Sequence, residues 1–208
     1  MNGKRCIVLI CLLLLGAISG CGPAATSQPT ATPIPGWEKF EGSGAELWLP
    51  ESFEGGDLGK DVEVIAENLR RFAPDSEQIA QMIEQNPSMY IIWAFDTDIG
   101  DTGLLTNVTV ATEKVLSAMT LDVYLDAVLK QFPDWLQVVE RDIITQGDQQ
   151  AGRLVVEFAL AGVEVKEVMY AVKLDNSMWV ITYATGAEEF EERLPVFEQS
   201  ALTFKAQP

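Results

Sequence analysis

The chain contains no histidine at any of its 208 positions. Histidine is the usual general base of proteins, so histidine-based triads and histidine acid–base chemistry are excluded. Cysteine is nearly as scarce, because Cys6, Cys11 and Cys21 are the only three and all stand at the N-terminus. The rest of the chain therefore lacks the usual zinc ligands. Carboxylates, tyrosine, or serine with lysine remain for catalysis, and none shows a recognisable spacing. We therefore expect no enzyme.

Basic residues are also few, with 14 lysines and arginines against 31 acidic residues and a net charge of −17. Nucleic acid binding needs a basic surface, so we exclude it. An anionic membrane surface would repel such a domain. The charge favours cationic partners or metal ions, although an acidic surface also serves solubility alone.

The N-terminus has the three zones of a secretory signal peptide. Lys4 and Arg5 precede an apolar run over 6–17, and small residues follow at 18–20. This layout predicts a signal peptide over residues 1–20. The alternative is a permanent N-terminal membrane helix, but the run is short for a hydrocarbon core about 30 Å thick.

The residues Ile-Ser-Gly-Cys at 18–21 resemble the lipobox of bacterial lipoproteins. The resemblance implies cleavage before Cys21 and a lipid on its thiol, with fatty acids such as palmitate as the anchor. Two acyl chains suit stable anchoring, because one chain holds only marginally. The protein would then lie at the cell membrane, facing outside the cytoplasm. Lipidation would also explain a single cysteine in an exported chain, which has no partner for a disulfide.

Residues 21–36 begin with this cysteine and form an uncharged segment rich in Pro, Thr, Ser and Ala. That composition predicts an extended linker. A single globular domain follows over 37–208, and its length suffices for one core.

Periodicity within the domain predicts alternating helices and strands. We expect a strand at 45–49, a turn at Gly55–Gly56, helices at 61–72, after Asp75 or Ser76, at 120–132 and at 187–201, and strands at 89–95, 104–112, 136–145, 154–160, 168–174 and 178–183. Consecutive hairpins in the C-terminal half indicate antiparallel pairing. The fold class is therefore α+β, a three-layer α/β/α sandwich around a mainly antiparallel meander sheet.

Four features of this order carry a resemblance to a known family. They are Leu-Trp-Leu-Pro-Glu-Ser-Phe at 47–53, the helix after Thr120, the hairpins over 154–183, and Phe-Glu-Gln-Ser-Ala-Leu-Thr-Phe at 197–204. The domain is similar to PsbP, the extrinsic photosystem II protein P, to its bacterial lipoprotein relatives, and to a yeast Ran-binding import factor. The resemblance implies a binding or assembly module without catalysis. It carries no site residues over to this chain.

Asp96, Asp98 and Asp101 crowd one predicted loop. Calcium prefers several carboxylate oxygens, so these residues are the candidate metal ligands. No other cofactor is expected. The loop lacks a closing glutamate at calcium-loop spacing, and the alternative is a polar turn between two strands.

Two pairs of residues are candidates for partner binding. Trp37 and Trp135 stand beside glycine and proline and are the tryptophans expected at the surface, where this side chain suits interfaces. Glu188 and Glu189 begin the last helix and would suit a cationic partner. The alternative is that these acids complement the helix dipole.

Two functional hypotheses follow. The first is a membrane-anchored, non-catalytic binding or assembly module for a protein partner. The second is a small-ligand or calcium-binding lipoprotein, based on the aspartate loop and the tryptophans. An enzyme that uses two carboxylates is a distant third.

Overall fold

The computed structural model describes residues 34–73, 76–146, 149–160 and 162–206. The predicted signal peptide, Cys21 and most of the linker lie outside these residues, as do Asp75 and Gly147. The described residues all fall within one compact unit, Thr32–Pro208. None of the helices in the described part is long and apolar enough to cross a membrane.

Strands are the commonest regular structure in the described chain. They are β1 (Trp37–Gly42), β2 (Ala45–Pro50), β3 (Phe53–Asp57), β4 (Ile92–Asp96), β5 (Asn107–Lys114), β6 (Gln137–Gln146), β7 (Gln149–Leu160), β8 (Val163–Leu174), β9 (Ser177–Gly186) and β10 (Lys205–Ala206). The helices are α1 (Leu58–Phe72), α2 (Glu77–Gln85), α3 (Leu121–Leu129) and α4 (Phe190–Leu202).

The strands form two sheets. A seven-stranded sheet has the order β3-β4-β5-β9-β8-β7-β6, and a three-stranded sheet has the order β1-β2-β10. Every pairing is antiparallel, and β6 to β9 follow one another as hairpins. This confirms the predicted α+β class and the meander.

The two faces of the large sheet carry different layers. On one face, α4 and the small sheet pack on alternate residues such as Val168 and Tyr170. On the opposite face, α1 and α2 cover Trp93 and Phe95, while α3 covers Leu154. One outer layer therefore combines a helix with a second sheet, which the sequence prediction did not include.

Local capping sets where two of the helices begin. The Asp57 carboxylate accepts a hydrogen bond from the Gly59 amide over 3.0 Å, so α1 begins three residues earlier than predicted. Thr120 Oγ1 accepts from the Val123 amide at the start of α3, as predicted.

The predicted turn at Gly55–Gly56 is wrong. Both glycines lie within β3 and pair with Ala94 and Trp93 of β4. A Cβ atom at Gly55 would overlap the backbone of these two residues. The glycine is needed here for close approach of two strands, and not for a reversal of the chain.

Candidate functional site

An exposed apolar strip lies along the outer end of the large sheet. We define the Trp135 strip as Trp135, Val138, Val139, Phe158 and Leu160. The exposed fractions are 64% for Trp135, 44% for Val138, 51% for Val139 and 54% for Leu160. The strip therefore presents large apolar side chains to solvent.

Two features of the sequence shape this strip. The chain leaves α3 through Pro133, and Trp135 then meets the Phe158 ring edge to face, with centroids 5.7 Å apart. The register of β6 against β7 shifts between Val138 and Glu140, which leaves Val139 as the extra residue of a bulge. Because β6 is the last strand of the sheet, its outer edge pairs with no other strand of the described chain.

One acidic residue, Glu167, lies on the same sheet face as Phe158. Glu167 pairs with Val156 of β7 and Ala184 of β9, both of which are buried. Burial raises the pKa of the Glu167 carboxyl to about 7, well above the usual value for glutamate. A half-buried carboxylate therefore stands beside the strip.

The predicted metal loop is organised around an arginine. Arg193 Nη1 of α4 donates to Asp96 Oδ2 over 2.7 Å, and Nη2 donates to the backbone carbonyl of Asp98 over 3.1 Å. The side chains of Asp98 and Asp101 are exposed. Among the described residues, no three acidic side chains are grouped so as to hold a metal ion. Calcium binding here would require Asp96 to leave Arg193.

The two glutamates at the start of α4 have different surroundings. Glu188 is exposed, as a partner-binding residue would be. Glu189 Oε1 instead accepts from the Thr102 amide and hydroxyl over 3.1 and 2.8 Å, and Oε2 accepts from Arg193 Nε over 3.1 Å. Burial opposes ionisation of Glu189, but these hydrogen bonds outweigh it and lower its pKa. Glu189 thus connects the loop that contains Thr102 to α4 by hydrogen bonds, and its side chain is largely buried.

The two candidate tryptophans also differ. Trp135 is exposed, whereas Trp37 is half-buried at the start of β1 and pairs with Pro50 of β2. The described surface therefore favours Trp135 over Trp37 as a contact for a partner.

Comparison with known proteins finds structures of similar fold but no match among families or curated proteins. No family model and no curated protein matches the chain. The solution structure of cyanobacterial PsbP (CyanoP) from Synechocystis sp. PCC 6803 matches with a TM-score of 0.53 at 13% identity, over 92% of this chain and 99% of that chain. The chain has a PsbP-like fold.

Two further solved structures show weaker similarity. LpqN of Mycobacterium tuberculosis matches with a TM-score of 0.49 at 12% identity, over 80% of this chain and 86% of its own. The Ran-binding protein Mog1p of Saccharomyces cerevisiae matches with a TM-score of 0.48 at 11% identity, over 82% and 95%. At such identities the likeness concerns the fold alone.

Within the PsbP-like fold, three residues matter that the sequence did not single out. Arg193 is the cation that organises the acidic loop, Phe158 supports Trp135, and Glu167 is the carboxylate beside the strip. For these three residues, the one indication in the sequence was the pattern of strand β8, in which Glu167 interrupts a series of apolar residues.

Proposed function

We propose that this protein is a lipid-anchored, non-catalytic binding module outside the cytoplasm, and that the Trp135 strip is the surface that contacts its protein partner. The observation that carries the proposal is the exposure of Trp135 on Phe158. Single exposed apolar residues are ordinary on protein surfaces, but several of them close together at one sheet edge are typical of an interaction site.

The composition of the strip supports a protein partner. Tryptophan is among the residues enriched where truncation most weakens protein complexes. The ring of Trp135 already rests against Phe158, so binding would immobilise little further side-chain motion. The neighbouring edge of β6, which no described strand pairs with, adds backbone groups that a partner can contact.

The composition of the chain and its paired carboxylates support a role without catalysis. The chain has no histidine, and its cysteines all precede the domain. The two buried or half-buried carboxylates of the predicted metal loop and α4, Asp96 and Glu189, are hydrogen-bonded to Arg193. They stabilise the fold and are not free for proton transfer.

The membrane anchor rests on the lipobox resemblance at Cys21. Replacing this residue, Cys21→Ala, should abolish incorporation of an alkyne-tagged fatty acid and release the domain from membranes. The measurement is click labelling together with membrane fractionation. Fatty acid incorporation that persists in the variant would contradict the anchor.

Binding through the strip is tested by purification of the anchored protein from mildly solubilised native membranes. Trp135→Ala should lose a partner that the native protein retains, whereas Val64→Ala should keep it. Val64 is a suitable control because it is 59% exposed on α1, away from the strip. Equal recovery of the partner by both variants would refute the strip as the binding surface.

A further inference from the structure

Glu167 occupies a central position on the sheet face that carries the Trp135 strip. One row of paired residues crosses the strands, from Val138 through Val156 and Glu167 to Ala184 and Asn107. Side chains of one such row lie on the same face of the sheet. Glu167 therefore has an apolar neighbour on each side, Val156 and Ala184, in a row that begins in the strip itself.

The Glu167 carboxylate has no partner within the described part of the chain. No described residue donates a hydrogen bond to it or forms an ion pair with it, and burial raises its pKa. By contrast, Asp96 and Glu189 are each satisfied by Arg193. An unpaired, partly desolvated carboxylate is unfavourable, and a cation from outside would relieve that cost.

Two aromatic residues, Phe158 and Tyr90, lie near this carboxylate. Phe158 pairs with Val165, which makes it a diagonal neighbour of Glu167, a distance that long side chains span. Trp135 packs on Phe158. Tyr90, which follows α2 in the chain, interacts electrostatically with Glu167. Burial raises the pKa of its phenol most, and the charge of Glu167 raises it further.

Aromatic faces beside a carboxylate form a favourable environment for an organic cation. We infer that Glu167 receives a lysine or arginine side chain of the protein partner, whose alkyl stem lies along Val156 and Phe158. This inference rests on the proposed function and adds the chemistry of the partner. The net charge of −17 agrees with it, since an acidic surface attracts a basic partner.

The test uses three small probes with the purified domain, since the partner is unidentified. They are the Nα-acetyl methylamides of lysine, of arginine and of uncharged glutamine. Carbon NMR of the glutamate side-chain carboxyls and the Trp135 indole resonance report binding. We expect saturable shifts at Glu167 and Trp135 with a cationic probe, at a Kd of about 1–10 mM, and no saturable shift with the glutamine probe.

Glu167→Gln should weaken binding of the cationic probe by about tenfold or more, the scale of a lost charge-assisted contact. Glu164→Gln is the matched control, because Glu164 lies three residues away on β8 and so on the opposite face. Equal binding by the two variants, or no saturable binding at all, would overturn the inference.

The two proposals fail separately. If Trp135→Ala loses the partner while Glu167→Gln keeps full affinity for it, the strip is supported and the cation site is overturned. If the cationic probe binds at Glu167 while Trp135→Ala retains the partner, the cation site is supported and the strip is overturned as the partner surface.

Discussion

Arg193 and Asp96 are 97 residues apart in sequence and form an ion pair of 2.7 Å. The pair joins α4 to the end of β4, and both side chains are largely removed from solvent. Through its other nitrogens Arg193 also binds Glu189 and the backbone of Asp98. One guanidinium thus holds the acidic loop against α4.

Removing this arginine should destabilise the fold. Arg193→Met leaves the carboxylates of Asp96 and Glu189 without their cation, which should cost about 3 kcal/mol of unfolding free energy. Urea unfolding measures the loss. Arg70→Met is the control, since Arg70 binds two carboxylates, of Glu77 and Glu84, but on an exposed surface. It should cost much less than Arg193→Met, because exposed ion pairs contribute little to stability. Equal losses in the two variants would contradict the role of Arg193.

Gly100 should tolerate no side chain while Glu189 is in place. A Cβ atom at Gly100 would overlap the Glu189 carboxylate, which Thr102 and Arg193 hold by hydrogen bonds. Gly100→Ala should therefore cost about 2 kcal/mol or more in urea unfolding.

A control substitution and a double variant check this explanation. In Gly103→Ala the new Cβ meets no atom of the described residues within 4 Å, and only the backbone φ of +69° is strained, so the change should cost about 1 kcal/mol. In a Glu189→Ala background, Gly100→Ala should cost much less than in the native chain. An undiminished cost there would mean that the glycine serves some other purpose.

Local patterns predicted most elements, and contacts distant in sequence account for what was missed. Thr120 and the run of hairpins from Leu154 onward carry their own signals of capping, alternation and turns. The small sheet does not, because β10 is two residues long and pairs with β2. Its existence depends on the chain returning across the whole domain, which no short window shows.

The candidate site was predictable only in part. Trp135 was expected at the surface because it stands beside a proline break, and the structure exposes it. Asp96 was expected to bind a metal, yet its partner is Arg193, which the sequence places far away. Glu167 was overlooked because a polar residue in a strand ordinarily faces water. Only the apolar neighbours contributed by β7 and β9 show that it does not.

Glu167 should make stability depend on pH in a defined direction. Its pKa rises from 4.5 to about 7 on folding because of burial. Ionisation therefore opposes folding: the penalty is absent below the unfolded pKa, grows between the two values and is complete above about pH 7. We therefore compare the free energy of unfolding of Glu167→Gln with that of the native chain. The difference in favour of the variant should be about 2 kcal/mol larger at pH 8 than at pH 5.

Urea unfolding of both proteins at the two pH values gives this difference. Other titrating groups affect both chains alike and cancel, and Glu164→Gln should show no such gain. A native chain and a Glu167→Gln variant with the same pH dependence would show that Glu167 is well solvated in the folded state.

The central claim is that the Trp135 strip contacts a protein, and site-specific photo-crosslinking tests it most directly. A photoreactive phenylalanine analogue replaces Trp135 in the unprocessed chain with its N-terminus, and irradiation is carried out in the native cells. We expect one discrete adduct, absent when the same analogue replaces Val64. No adduct at position 135, or the same adduct from position 64, would contradict the claim.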